Sequence, residues 1–221
     1  MNKIHARLDA LKIRIREKLN PYFGKHRASK LKSTEFTIIS NNCWGGHVYR
    51  YFNLPYNSPT IGLYFFSDDY VKFVNNLRHY IECELNFISY IDSKYCNEII
   101  KQHQENVPIG KVDDVEIIFL HYHSEEEARE KWNRRKIRIH WDNLFFKMSE
   151  QNLCTKEHLQ QFDILPTNNK FVFVSQDYKI ESQVVFKDWL GKGFVPNDTT
   201  NFRKYINVIN WLNCMPFKLK Q

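Results

Sequence analysis

The feature that most constrains this chain is the alternation of short apolar runs with helix-like stretches between residues 115 and 175. "VEIIFLHY" (115–122) is a continuous apolar run, as a strand covered on both faces requires. Ser124 follows, with Glu127 three residues on, a capping box that opens a helix. Glu125, Glu126 and Glu127 occupy its first turn and Lys131, Arg134 and Arg135 its last, which complements the helix dipole at both ends. "NLFFKM" (143–148) reads as a strand, 155–163 as a helix capped by Thr155, and "KFVFVS" (170–175) as another strand. Strand–helix–strand–helix–strand at this spacing predicts parallel βαβ units, and so an α/β protein with a largely parallel sheet.

The first half is less regular. "FTIIS" (36–40) and "TIGLYFF" (60–66) have buried-strand patterns, and Ser67-Asp68 offers an N-cap to a helix reaching about Tyr80. A strand over 84–91, a helix over 93–104 opened by Ser93, and a final helix over about 199–213 complete the expected elements. "ENVPIGKVDD" marks the midpoint, and "FTIIS" is echoed by "FVFVS". The echo suggests two similar, Rossmann-like α/β subdomains, 33–110 and 111–221, preceded by an arm, 1–32.

Charge separates the arm from the body. The chain carries +7, yet residues 1–32 hold Lys3, Arg7, Lys12, Arg14, Arg16, Lys18, Lys25, Arg27, Lys30 and Lys32 against only Asp9 and Glu17. The remainder is near neutral, so a basic nucleic-acid-binding domain is disfavoured despite a pI near 9.1. Ile4, Leu8, Leu11, Ile15 and Leu19 recur at helical spacing, and Asn20-Pro21 is expected to end that helix. Such a basic amphipathic helix either docks on its own domain or a protein partner, or lies on an anionic membrane at about 1 kcal/mol per basic residue. The expected location is cytoplasmic, with a peripheral position on the inner membrane face if the arm binds lipid. No run reaches the length of a transmembrane helix, and the start lacks the apolar core of a signal peptide. Cysteines 43, 83, 96, 154 and 214 show no CxxC spacing, which reads as reduced thiols and gives no support to zinc.

Ligands of parallel α/β sheets bind beyond the carboxyl ends of the strands. That rule selects "NNCWGGH" after 36–40, "HYHS" after 115–120, "SEQN" after 144–148 and "SQD" after 171–174. Asn41 and Asn42 tolerate left-handed geometry, and Gly45-Gly46 permits positive φ and close backbone approach. Trp44 either stacks on a base or sugar face or plugs the core. Cys43 beside His47 is the sole candidate nucleophile pair, and a weak one. His121 and Tyr122 precede the capped helix, and His123 is placed to meet a ligand at its N-terminus or to serve as a base. In "KWNRRKIRIHWDNL", Arg134 and Arg135 suit phosphate or acidic sugars, Asn143 suits sugar hydroxyls, and Asp142 is a candidate general base.

Two signatures are familiar: "FTIISNNCWGGHVYRYFNLPYNSPTIGLYFFSDDYVKFVNNL" (36–77) and "VDDVEIIFLHYHSEEEAREKWNRRKIRIHWDNLFFKMSE" (112–150). They resemble a bacterial family carried as a domain of unknown function, and the N-terminal arm lies outside the resemblance. Members are often labelled as exopolysaccharide or capsule biosynthesis proteins, and the family looks like a three-layer α/β fold with duplicated subdomains. The resemblance implies no catalytic residues. The function expected is a glycosyltransferase-like or other group-transfer enzyme of polysaccharide biosynthesis, with a nucleotide sugar as donor and no cofactor. No D-x-D motif is present, so Arg134, Arg135 or helix N-termini would take the place of a metal at the leaving diphosphate. The alternative is a non-catalytic glycan-binding or scaffold protein of the same assembly.

Overall fold

The computed structural model describes residues 3–219, and within the first helix the side chains of 11, 14, 15 and from 18 onward. The elements run α1 (Lys3–Ala28), β1 (Thr37–Ser40), α2 (Trp44–Phe52), α3 (Ser67–Asn75), α4 (Leu77–Glu82), β2 (Asn86–Ile88) and α5 (Cys96–Lys101). They continue with β3 (Ile109–Val112), β4 (Val115–Ile118), α6 (Glu125–Lys136), β5 (Leu144–Ser149), α7 (Lys156–Asp163), β6 (Lys170–Val174), β7 (Gln183–Val185) and α8 (Val208–Leu212).

Four strands make a parallel sheet in the order β1-β5-β6-β7, with Thr37 opposite Leu144, Phe146 opposite Lys170 and Val172 opposite Gln183. Alternation along the strands sends neighbouring side chains to opposite faces. Ile39, Phe146, Met148, Val172 and Val174 join a core with Tyr70, Phe73, Trp132 and Phe162. Ile38, Phe145, Phe171 and Phe173 join a second core with Trp44, Tyr49, Phe52, Phe202 and Trp211. Both faces are therefore buried, and the strands are apolar at nearly every position for that reason.

The run at 115–122 departs from the expectation of a parallel strand. Only Val115–Ile118 is extended, and it pairs antiparallel with β3, which pairs antiparallel with β2. The cause is local: Val112 and Val115 face each other across the two-residue turn Asp113-Asp114, and a link that short joins only antiparallel strands. The mixed α/β chain thus contains a second, three-stranded antiparallel sheet. The 110/111 division falls inside β3, and β1 from the first half pairs with β5 from the second.

Several boundaries also move. The expected strand at 60–66 is reduced to a bridge between Tyr64 and Ile118, and the expected helix from Ser67 to about Tyr80 breaks at Asn76. Ser67 does not cap that helix, because its hydroxyl donates to the Gln151 carbonyl at 2.8 Å. Ser93 precedes α5 without capping it and donates to Glu116 at 2.5 Å. The final helix divides into a 3-10 turn, Phe202–Lys204, and α8. Ser124 and Thr155 do cap α6 and α7, accepting from the N–H of Glu127 and His158.

α1 does not stop at Pro21 but runs through it to Ala28. Docking overrides the local preference of the residue before proline. Buried Asn20 accepts from Arg27 at 2.8 Å, Arg27 also donates to the Tyr51 carbonyl at 3.0 Å, and a Cβ on Gly24 would fall 2.3 Å from that of Asn53. Leu11, Ile15 and Leu19 of the apolar stripe are exposed, whereas the side chains of Ile4 and Leu8 lie outside the described residues. No helix among the described residues is long and apolar enough to cross a membrane.

A cationic cleft as the candidate binding site

The "NNCWGG" turn sits where β1 passes into α2, at the carboxyl end of the parallel strands. Asn41 is a rung of the sheet extended by a side chain: its amide donates to the Ser149 carbonyl and accepts from the Ser149 N–H, both at 3.0 Å. Asn42 accepts from the Trp44 N–H at 3.1 Å, which starts α2. Trp44 is fully buried, its ring edge-on to Phe171, Phe202 and Trp211 at 5.5, 5.2 and 5.8 Å. It is a core plug, and no ligand reaches its face. Gly45 and Gly46 are helical and do not use positive φ. They are small because a Cβ on Gly45 would meet Ser40 Oγ at 3.1 Å, and one on Gly46 would meet Ile61 at 3.3 Å.

The outer face of α2 is different. Cys43, Gly46, His47 and Arg50 lie three or four residues apart and line one wall of a cavity of about 480 Å³. Lys131 and Arg135, one turn apart on α6, also line it, together with Tyr56, Ile61, Gly62, His121 and Tyr122. Among the described residues no acidic side chain lines it, although Lys131 pairs with Glu127 beside it. An opening of about 550 Å³ beside Trp211 and Cys214 gathers, among the described residues, the single cation Lys218.

Arg135 organises the floor. It is 7% exposed, donates to the Tyr122 hydroxyl at 2.6 Å and the Ile61 carbonyl at 3.1 Å, and lies over the Tyr56 ring at 5.1 Å. Among the described residues no carboxylate forms an ion pair with it. Burying a guanidinium without a counter-charge is costly, and an anion entering the cleft would relieve that cost. Arg50 Nη2 lies 3.0 Å from His47 Nδ1, a contact in which the guanidinium is the donor. His121 is held below the ordinary histidine value, first by burial and then by the charge of Arg50. It is therefore a free base at neutral pH. Burial pushes the Cys43 thiol up to about 11, with the Asp198 charge adding to the effect. The Cys43–His47 pair thus lacks the thiolate that a nucleophile requires.

The fold divides the other expected site residues. Gly46, His47, His121, Tyr122 and Arg135 meet in the cleft, while Asn41, Asn42, Trp44 and Gly45 build the turn behind it. Asp142 and Asn143 lie before β5, at the amino ends of the strands; Asn143 donates to the Glu35 carbonyl at 2.8 Å and Asp142 is exposed. Arg134 points to solvent and pairs with Glu130 at 2.8 Å. His123 is exposed, and its N–H donates to Glu127 at 2.8 Å, so the helix N-terminus is satisfied from within. Arg50, Tyr56 and Lys131 join the cleft unforeseen. The signal available for two of them was helical spacing, Arg50 three residues after His47 and Lys131 four before Arg135.

Behind the turn lies a further group with almost no trace in the sequence. Lys147, in the middle of β5, is fully buried and pairs with Asp198, whose carboxylate also accepts from Ser149 at 2.5 Å and Asn42 at 2.8 Å. Burial pushes the Asp198 carboxyl up, but the Lys147 charge and the bonds from Asn42, Lys147 and Ser149 outweigh it and hold the group below its usual range. The only sign in the sequence was a lysine within "NLFFKM".

Fold and cleft together define a mixed α/β protein with a cationic pocket between two helices. The chain belongs to the family described as a domain of unknown function (DUF1919), which matches residues 14–213. The match reaches into the N-terminal arm, which the two sequence signatures alone had placed outside it. A Haemophilus influenzae protein, described only as an uncharacterized protein, is 36% identical over 149 residues, which is 67% of this chain. The match spans 66% of that bacterial relative's length.

Proposed function

We propose that the cleft binds an anionic sugar derivative, a nucleotide sugar held through its diphosphate, and that the protein transfers a group from it. The observation that carries this reading is buried Arg135, unpaired with any carboxylate among the described residues, opening on a cavity lined by Arg50 and Lys131. Guanidinium and ammonium groups preorganised in a sheltered site stabilise charge developing on a leaving diphosphate. His121, neutral at physiological pH, replaces Asp142 and His123 as the acceptor's base. A role in exopolysaccharide or capsule biosynthesis rests on the family resemblance, and so does the three-layer, Rossmann-like description of the scaffold. Exposed Leu11 and Ile15, beside exposed Arg14 and Lys18, favour the anionic inner membrane face as the place of action.

Titration calorimetry with nucleotide sugars, pyrophosphate and neutral saccharides tests this reading. Arg50→Gln and Lys131→Gln should each weaken a charged donor by about tenfold or more, since a hydrogen bond to a charged group contributes about 1.5–3 kcal/mol. His121→Gln should abolish turnover at unchanged affinity. Unchanged affinity in both charge variants refutes the cleft as the anion site. Saccharide binding without turnover in the unaltered protein supports the non-catalytic glycan-binding alternative.

A further inference from the structure

Between the two stretches of sequence that line the cleft, α4 and the β3–β4 turn bring three different donor atoms together. His79 lies on α4, Cys83 follows four residues later just past its end, and Asp113 occupies the turn between Val112 and Val115. Residues four apart on a helix share a face, so the imidazole and the thiol project the same way. His79 Nε2 lies 3.7 Å from Cys83 Sγ and 2.8 Å from Asp113 Oδ2, and all three donor atoms fall within 4.8 Å of one another.

The neighbours explain why Asp113 is the carboxylate turned to this group. Asp114 is engaged elsewhere, accepting from the Tyr80 hydroxyl at 2.9 Å and lying 3.4 Å from Lys72 Nζ. Asp113 takes φ 53°, which turns the chain between the two strands. His79 and Asp113 are both exposed, with side chains 44% and 56% accessible, so an ion has an open path to them.

We propose that His79, Cys83 and Asp113 form a binding site for a zinc-class divalent ion, with solvent in the fourth position. Thiolate, imidazole and carboxylate are the donor types that zinc takes in tetrahedral sites, at about 2.3, 2.0–2.1 and 2.0–2.2 Å. Tetrahedral angles at those lengths put sulfur and nitrogen roughly 3.6 Å apart, close to the separation already present. Nitrogen and oxygen must part by about half an ångström, which rotation of two exposed side chains supplies. Binding releases the Cys83 thiol proton to solvent, the imidazole carries its proton on Nδ1 while Nε2 ligates, and no electron is transferred. The ion ties the end of α4 to the tip of the antiparallel sheet, two segments about thirty residues apart in the chain.

The test uses the full chain, stripped of metal under reducing conditions and titrated with Zn²⁺ and then Co²⁺. The expected result is one strong site per chain, weakened at least tenfold by Cys83→Ser and by Asp113→Asn, and unaffected by Asp114→Asn. The Co²⁺ form should show a thiolate-to-metal charge-transfer band that Cys83→Ser removes while the protein stays folded by circular dichroism. Stoichiometric binding that survives Cys83→Ser and His79→Ala, or no binding beyond that of the His79→Ala variant, overturns the proposal. An ion that binds with unchanged affinity after Asp113→Asn also overturns it, because the turn is then not a ligand.

Discussion

Removing Asp198 should be among the most damaging single changes available in this protein, although Asp198 lies in no recognisable motif. Its carboxylate neutralises Lys147, which is fully buried, and also takes hydrogen bonds from Ser149 and Asn42. Asp198→Ala leaves the Lys147 amine in a site walled by the Trp44 and Phe173 rings, at 5.7 and 5.8 Å, with the Asn42 side-chain Oδ1 at 2.9 Å as an acceptor. Burial already draws Lys147 below the ordinary lysine range against the pull of Asp198, so losing that carboxylate pushes it further in the same direction. Breaking a buried pair from one side costs about 3–5 kcal/mol. At about 2–4 °C per kcal/mol for a chain of this size, the melting temperature should fall by roughly 6–20 °C. Lys147→Met should cost a comparable amount, because it leaves a buried carboxylate. The double variant Lys147→Met/Asp198→Leu should recover much of the loss, since apolar groups of similar volume replace buried pairs at little net cost. Urea denaturation of all four proteins at one pH supplies the cycle. Single losses below about 1 kcal/mol, or a double variant equal to the sum of the singles, would refute the view that this pair is a dry, mutually dependent clamp.

Further outcomes follow from the cleft and its surroundings. Because burial and Arg50 hold His121 below its unfolded value, the unfolded chain binds its proton first as the pH drops. Stability should therefore decline below about pH 6.5, the unperturbed histidine value, and His121→Gln should flatten that part of the profile in thermal melts. Protonated His121 adds positive charge, so phosphate affinity measured by calorimetry should rise over the same range. Gly62 has φ 79°, and a Cβ there would sit 3.1 Å from Tyr122 Cε2; Gly62→Ala should cost about 1–2 kcal/mol in urea denaturation. Thr155→Ala removes the cap of α7 and should cost about 1 kcal/mol by the same assay. With its thiol pushed up to about 11 and partly buried, Cys43 should alkylate far more slowly at pH 7.5 than exposed Cys214, as mass spectrometry of iodoacetamide-treated protein will report.

What was legible in the sequence was legible through periodicity and caps. β1, β5 and β6 are unbroken apolar runs because both faces of their sheet are covered, and Ser124 and Thr155 announce their helices by chemistry that acts within three residues. The antiparallel sheet was missed because β4 is as apolar as a parallel strand, and only the tightness of Asp113-Asp114 reveals its direction. The continuation of α1 through Pro21 depends on Gly24 meeting Asn53, a contact with no trace in the local sequence. Site residues divided in the same way. The rule of the carboxyl ends found the turn at 41–47, but it did not separate the buried Trp44 and Gly45 from the solvent-facing His47, because that depends on the rotation of α2 about its axis. Arg134 and Arg135 are adjacent and chemically alike, yet one reaches solvent and the other the cleft. The i, i+4 spacing of His79 and Cys83 went unread because a Cys/His pair without a CxxC gives no zinc signal by itself, and the third partner comes from a turn about thirty residues away.

The order of the parallel sheet has a consequence for how the chain reaches it. β5 meets β6 after a short excursion, Phe146 opposite Lys170, whereas β1 must wait for a partner roughly a hundred residues downstream, Thr37 opposite Leu144. Loop-closure entropy makes the second pairing costlier by about 1.3 kcal/mol before any contact forms. The β5–α7–β6 unit is therefore the natural nucleus, and β1 with α2 docks onto it late. During synthesis "FTIIS" leaves the ribosome with nothing to pair with, an apolar segment exposed until Leu144–Ser149 has followed. Since α2 carries one wall of the cleft, that cleft comes into being only with the last strand pairing to form, and a kinetically trapped chain can possess most of the sheet while lacking the binding site altogether.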